Sequence, residues 1–224
     1  MQTILITGAS RGIGYALAAT LAAQPDTRVF LTARNPETGW GAAERVGAEF
    51  LPLDVASRDS IEHLRRDLPG DSLDVLINNA GIYGGDEQSF PNLNPELLRN
   101  VLETNLYGAI ELTQALLPRL HASPAGRILN VSSGMGQFQD VGSGALAYRI
   151  SKAALNMFTA NAAAELAGSS VKIVSVCPGW VQTDMGGKNA NLTPAESAER
   201  ILPLLSMDNL RSGKFYRYGE PISF

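Results

Sequence analysis

The sequence predicts an α/β fold: one doubly wound domain in which a mostly parallel sheet is covered by helices on both faces. Three observations predict it. Short apolar, β-branched runs alternate with helix-like stretches along all 224 residues, the pattern of a sheet buried on both faces. The first run leads through a glycine-rich turn into a helix, the order that a phosphate-binding loop needs. No repeat or linker-like stretch divides the chain, so residues 1–224 are expected to form a single domain with a substantial core.

Thr3–Thr7 is a buried first strand by its β-branched, apolar composition. Gly8-Ala9-Ser10-Arg11-Gly12-Ile13-Gly14 follows, then Tyr15–Ala23, rich in Ala and Leu and ending before Pro25. In this context Gly8 supplies an unusual turn geometry, Gly12 lets the backbone approach a pyrophosphate, and Gly14 lets the helix pack closely on the strand. The helix N-terminus adds amide donors and positive potential. A second strand, Arg28–Arg34, ends where an NAD-selective site usually carries a carboxylate for the ribose 2′-hydroxyl. Here the sequence has Ala33 and Arg34, with Arg11 in the glycine turn. Either arginine alone suits a solvated surface. Together, without a carboxylate, they suit a 2′-phosphate gripped by guanidinium forks, and so NADP(H).

Further strands are expected at Glu49–Leu53, Leu73–Asn78, Arg127–Ser132, Lys172–Cys177 and Lys214–Tyr218, making seven. Helices are expected at Ser57–Leu68, Pro95–His121, Ala145–Ala167 and Pro194–Leu205. Gly84-Gly85 and Gly186-Gly187 lie beyond strand ends, on the edge where such folds bind ligands. Tyr148 and Lys152 fall in the third of these helices, one turn apart, so both side chains point the same way. A cation beside a phenol favours the phenolate, which is one way for a tyrosine to serve as an acid/base for a carbonyl/alcohol pair.

Composition narrows the class. Hydrophobic residues make up 45%, charged residues 18%, and the net charge of −4 leaves no basic footprint for nucleic acid. No block of Lys/Arg suggests a membrane surface, and no apolar run approaches the ~20 residues of a membrane span. The single Cys177 lies in an apolar strand, as a buried thiol. His63 and His121 have no partners at metal-ligand spacing, so no metal is expected. The N-terminus starts with a strand and carries no leader-like segment, for which a cytoplasmic location is the expectation.

Taken together, Thr7–Gly14, Asn78-Asn79-Ala80-Gly81 and Tyr148-x-x-x-Lys152 resemble the short-chain dehydrogenase/reductase family. Asp54-Val55, Asn105 within Thr104–Gly108, and Pro178-Gly179-Trp180-Val181-Gln182-Thr183-Asp184 match further motifs of that family in order. The resemblance spans essentially the whole chain and implies a Rossmann domain. Tyr148–Asn156, Pro178–Val181 and Tyr216–Pro221 are similar to compact carbonyl reductases related to C-factor and sniffer proteins.

The resemblance implies a site. Asn105, Ser133, Tyr148 and Lys152 would be catalytic: Tyr148 as proton donor, Ser133 orienting the carbonyl oxygen, Lys152 binding the nicotinamide ribose and lowering the tyrosine's pKa. Asn105, through a helix distortion and water, would link the lysine to solvent. Alignment selects Ser133 over the adjacent Ser132, and the 15-residue step from Ser133 to Tyr148 suggests a small insertion near Gln137–Ser143. Gly8, Ser10, Arg11, Gly12, Ile13 and Gly14 would cradle the pyrophosphate, with Arg34 at the 2′-phosphate. Asp54 and Val55 would frame adenine, and Asn79, Ala80 and Gly81 would line the ribose. Pro178, Gly179, Val181 and Thr183 would hold the carboxamide end.

Met135, Phe138, Trp180 and Met185 are candidate apolar walls for a substrate pocket, or plain core. The short stretch from Thr183 to Pro194 suggests an open, shallow site. The alanine-rich stretch around Ala160–Ala164 suits close helix packing, either internal or in a homo-oligomer (dimer or tetramer). The leading reading is an NADPH-dependent carbonyl reductase acting on a small-molecule ketone or aldehyde. The alternatives are a 3-oxoacyl thioester reductase or alcohol dehydrogenase of the same family and, in another class, a nucleotide-binding signalling protein.

Overall fold

Apolar side chains alternate along each central strand, and that alternation divides the core in two. Ile4 and Ile6 of β1 (Gln2–Ile6) enter one apolar cluster while Leu5 enters the other, all three with no exposed surface. A computed structural model, which describes residues 1–224, shows how the chain covers both faces. On the first face lie α1 (Gly12–Ala22), α2 (Pro36–Val46), α7 (Pro194–Ile201) and the short α8 (Pro203–Ser206). On the second lie α3 (Arg58–Asp67), α5 (Gly108–His121) and α6 (Leu146–Glu165). The remaining helix, α4 (Pro95–Leu102), packs against α6.

The other strands are β2 (Thr27–Ala33), β3 (Glu49–Pro52), β4 (Val75–Asn78), β5 (Arg127–Val131), β6 (Lys172–Cys177), β7 (Phe215–Arg217) and β8 (Glu220–Ile222). Their order is β3-β2-β1-β4-β5-β6-β7-β8, parallel except for the last pair. β1 lies between β2 and β4, so the chain reverses direction across the sheet there. A doubly wound sheet opens its ligand crevice at such a point, beyond the carboxyl ends of the strands. No helix is long and apolar enough to cross a membrane.

Two elements are absent from the sequence expectation. The sheet has eight strands, not seven: Tyr218 (φ 55°) and Gly219 (φ 84°) both take left-handed backbone, the geometry of a tight two-residue hairpin. They turn β8 back onto β7, with Pro221 tolerated because β8 is an edge. The second difference is α2, which the glycines at 39 and 41 disguise. Asn35 caps it by accepting from Thr38 N, Pro36 opens it and Gly47 (φ 71°) closes it. Gly39 is there for space, since a Cβ would stand 2.0 Å from Phe50 Cε2.

The expected single helix Pro95–His121 is interrupted by a π-helical turn at Glu103–Tyr107, between α4 and α5. The alanines of α6 have an internal use: Ala162 and Ala163 pack on the second core cluster, and a Cβ at Gly213 would lie 2.9 Å from Ala163 Cβ.

Candidate active site

The glycine turn after β1 is shaped by close approach. Gly8 (φ 62°) and Gly12 (φ 59°) take left-handed backbone, and a Cβ on Gly8 would stand 2.9 Å from Ala80 Cα. Gly14 is tighter: a Cβ would lie 2.5 Å from Asn79 Nδ2 and 2.8 Å from the Gly8 carbonyl oxygen. Asn79 explains the crowding. Its Nδ2 donates to the carbonyls of Thr7 (2.9 Å) and Gly8 (3.1 Å), while the amides of Asn79 and Ala80 both donate to Thr7 Oγ1 at 2.9 Å. Asn79 and Thr7 thus lash the end of β4 to the turn.

Helix α1 begins at Gly12 with no side-chain cap at Arg11, so its first amides are free of side-chain acceptors. Glycine backbone, uncapped amides and the exposed Arg34 at the end of β2 fit the pyrophosphate and 2′-phosphate of a dinucleotide. We expect Gly14→Ala to lower the melting temperature by several degrees, since overpacking costs about 1–3 kcal/mol, and to weaken dinucleotide binding. Thermal unfolding and a cofactor titration check both, and an unchanged protein would mean that the turn has slack.

The floor of the crevice comes from β3, β4 and the π-helical turn. Asp54 Oδ1 accepts from Ala56 N at 3.0 Å, and the Val55 backbone lies under Gly108, where a Cβ would stand 2.4 Å from the Val55 oxygen. Asn105, buried in the π-helical turn, is fully engaged: Oδ1 accepts from Ile82 N (2.8 Å), while Nδ2 donates to Ile82 O (2.9 Å) and Ser151 Oγ (3.0 Å). Gly81 lets the chain pass this group, its Cβ position lying 3.2 Å from Asn105 Oδ1 and 3.6 Å from Lys152 Nζ.

Tyr148, Lys152 and Ser133 meet at the carboxyl end of β5. Alternation along the strand separates the two serines. Ser132 Oγ donates to the Lys152 carbonyl (3.3 Å), whereas Ser133 Oγ accepts from Met135 N (3.1 Å) and lies beside the Tyr148 phenol. Lys152 Nζ donates to the Val131 carbonyl at 2.8 Å and lies 5.6 Å from the Tyr148 ring centroid. Gly136 admits the turn after Ser133 against α6, since a Cβ there would stand 2.7 Å from the Lys152 carbonyl carbon.

The direction of the tyrosine's shift corrects the sequence expectation. Burial pushes the Tyr148 phenol up to about 12, against the opposing hydrogen bond from Ser133, and burial brings the Lys152 ammonium down to about 8. Burial is the largest cause of both shifts.

The segment after β6 closes the site. Gly179 (φ 86°) leaves no room for a Cβ, which would meet the Tyr218 hydroxyl at 2.6 Å and Leu192 Cδ1 at 2.7 Å. The Pro178 carbonyl accepts from Ser197 Oγ (2.9 Å), Val181 bridges to Leu192, and Thr183 Oγ1 accepts from Gly186 N (3.1 Å). Thr183 also reaches across the crevice, its Cγ2 standing 3.2 Å from where a Cβ of Gly12 would be. Arg11 makes an ion pair with Asp184 across the same gap, so its partner here is a carboxylate of this segment. The loop after β5 runs through two short 3₁₀ turns, Gly134–Gly136 and Phe138–Asp140, to Ala145. Of the candidate pocket residues, Phe138 (80%), Trp180 (53%) and Met185 (44%) are too exposed to be core. A cleft of about 500 Å³ opens at the opposite, amino end of β1 and holds none of these residues.

Several residues of the site carry no local signal. Gln88 is fully buried; its Nε2 donates to the carbonyls of Tyr83 (2.8 Å) and Gly85 (2.6 Å), and its Oε1 accepts from Tyr148 N (3.1 Å). It holds the start of α6 to the loop after β4. Tyr83 packs on Tyr148 with ring centroids 5.3 Å apart. Thr7 and Ser151 support the glycine turn and Asn105.

Residues 2–192 match the family model described as short chain dehydrogenase. The fold is similar to the carbonyl reductase Sniffer of D. melanogaster, with a TM-score of 0.92 and 33% identity, 100% of each chain being covered. It is also similar to the NADPH-bound carbonyl reductase from chicken fatty liver, with a TM-score of 0.90 and 33% identity over 100% of this chain and 99% of that one. The NADP-dependent 3-hydroxy acid dehydrogenase of Schizosaccharomyces pombe is 34% identical over 224 residues, covering 90% of this chain and 85% of the relative.

Proposed function

The chain belongs to the short chain dehydrogenase family of oxidoreductases, and from that premise we propose that it reduces a ketone or aldehyde to an alcohol with NADPH, Tyr148 being the general acid. The observation that carries the reading is the buried Tyr148 phenol, beside Ser133 and Lys152, at the sheet edge that holds the glycine cradle. Carbonyl reduction needs a donor that still holds its proton at neutral pH, and a phenol pushed up to about 12 does so.

Bound in the crevice, the reduced dinucleotide supplies hydride to the carbonyl carbon. Tyr148 gives its phenolic proton to the carbonyl oxygen, so the product alcohol gains one hydride and one proton. Ser133 donates to the same oxygen and fixes its position where negative charge develops. Lys152 anchors the nicotinamide ribose, and its ammonium, close to half-ionised near pH 8, is suited to passing a proton back to the phenolate. Asn105 acts by shape: it clamps Ile82 and Ser151, keeping the π-helical turn and the chain at Gly81 in place beside Lys152. Asp54 and Val55 take the adenine, Asn79 to Gly81 the ribose, and Pro178, Gly179, Val181 and Thr183 the carboxamide.

Arg34 reads the 2′-phosphate, with Arg11 joining it when released from Asp184. Arg34→Asp is expected to raise the KM for NADPH by about 10- to 100-fold, the scale of a lost charge-assisted contact, with far less effect on NADH. Steady-state kinetics with both cofactors check this, and equal losses would remove Arg34 from the 2′-phosphate site.

A further inference from the structure

Arg217 places a partly buried cation at the carboxyl end of the sheet, beside the proposed reductase site. It ends β7, in register with Cys177 of β6, and the preceding inward residue of that face, Phe215, is fully buried. The same face is covered by α6, the helix that carries Tyr148. Two contacts bring the guanidinium to the reacting groups. A Cβ on Gly134, the residue after Ser133, would stand 2.4 Å from Arg217 Nη2, so the fork lies directly over that glycine. The Cys177 thiol neighbours both the Tyr148 phenol and the Arg217 guanidinium.

The donors of Arg217 are underused. Nη2 donates to Gln137 Oε1 at 3.1 Å, and Gln137 Nε2 donates in turn to the Ser223 carbonyl at 2.6 Å. Nε is buried and has no hydrogen-bond partner, and the Cys177 thiol is near the guanidinium. Arg217 makes no ion pair; Asp140 is the carboxylate that it senses. The buried amide of Gln137 holds the fork in one orientation, which is how a binding arginine is preorganised. A fixed guanidinium with no ion-pair partner beside the proton donor fits a planar anion.

We propose that Arg217 is a specificity-determining residue of the substrate site and selects carbonyl compounds that carry a carboxylate, that is, short oxo acids. This rests on the carbonyl-reductase reading above and names its substrate class. The substrate carbonyl oxygen sits at Tyr148 and Ser133 while its carboxylate lies along the Arg217 fork over Gly134. A purely structural Arg217 would only pin the C-terminal hairpin, through Gln137, to the turn after β5, and would treat all substrates alike.

The test compares phenylglyoxylate with its methyl ester, which keeps the aryl ketone and replaces the carboxylate with a neutral group, using wild type, Arg217→Gln and Arg217→Lys with NADPH. Wild type is expected to favour the acid. Arg217→Gln should raise KM for the acid by about 10- to 100-fold with the ester unchanged, and Arg217→Lys should recover part of the loss. Equal losses for acid and ester, or a wild type that prefers the ester, overturn the inference and leave the reductase reading intact. Wild type that reduces neither compound nor any neutral ketone or aldehyde overturns both. If Arg217→Gln does not fold, the wild-type acid-to-ester ratio and the Arg217→Lys variant decide.

Discussion

Tyr148→Phe is expected to retain dinucleotide binding and to lose at least about two orders of magnitude in turnover, the scale of general acid catalysis. The substitution removes one oxygen and keeps the ring, so the packing on Tyr83 (5.3 Å between centroids) survives. Gln88, which fixes the start of α6 through the Tyr148 amide, is unaffected because it binds backbone. What is lost is the proton that burial holds on the phenol. Ser133 remains as a hydrogen-bond donor, so some polarisation of the carbonyl persists. Single-turnover rates and a binding titration separate the two effects. Turnover within a few-fold of wild type would take Tyr148 out of the mechanism.

Lys152→Met should make the protein more stable and less active. The ammonium has a pKa of about 8 in the folded chain against 10.5 for a free lysine. That difference is worth roughly 3 kcal/mol against folding while the group is charged. The folded chain binds this proton more weakly than the unfolded chain. The penalty is therefore present in full below about pH 8, fades between about 8 and 10.5, and is gone above. Methionine fills the same space without charge, so the variant should melt several degrees above wild type at pH 7, with the advantage shrinking through that window. The lost hydrogen bond to Val131 reduces the gain by about 1 kcal/mol. Activity should fall by about 100-fold or more, because the ribose anchor and the proton relay go together. A variant less stable than wild type at pH 7, or a stability difference independent of pH, would show that the buried ammonium carries no such penalty.

The contrast between these two residues indicates what the sequence made legible. Chemistry restricts residue types at short spacing: the glycines at 8, 12 and 14, and Tyr148 with Lys152 one helical turn on, are local patterns, and all sit at one sheet edge. The sign of the tyrosine's shift was not legible, because burial by Tyr83, Cys177 and the surrounding loops is a property of the assembled fold. Gln88 and Arg217 escaped for the same reason. Their partners lie 60 and 80 residues away, at Tyr148 and Gln137 respectively; nothing next to Gln88 in sequence marks it, and the resemblance of Tyr216–Pro221 assigns Arg217 no role. Helix α2 was hidden by its glycines, of which Gly39 makes room for Phe50, although its caps Asn35 and Gly47 were in plain view. β8 was hidden by its length of three residues and by Pro221.

The most direct test of the central claim is NADPH consumption by the purified chain against aromatic aldehydes, cyclic ketones, diketones, oxo acids and acyl thioesters, with NADH run in parallel. The account predicts turnover with NADPH, markedly slower turnover with NADH, and preference for free carbonyl compounds over acyl thioesters. Tight NADPH binding with no turnover of any carbonyl compound would contradict it and favour a nucleotide-binding protein whose reductase residues are idle.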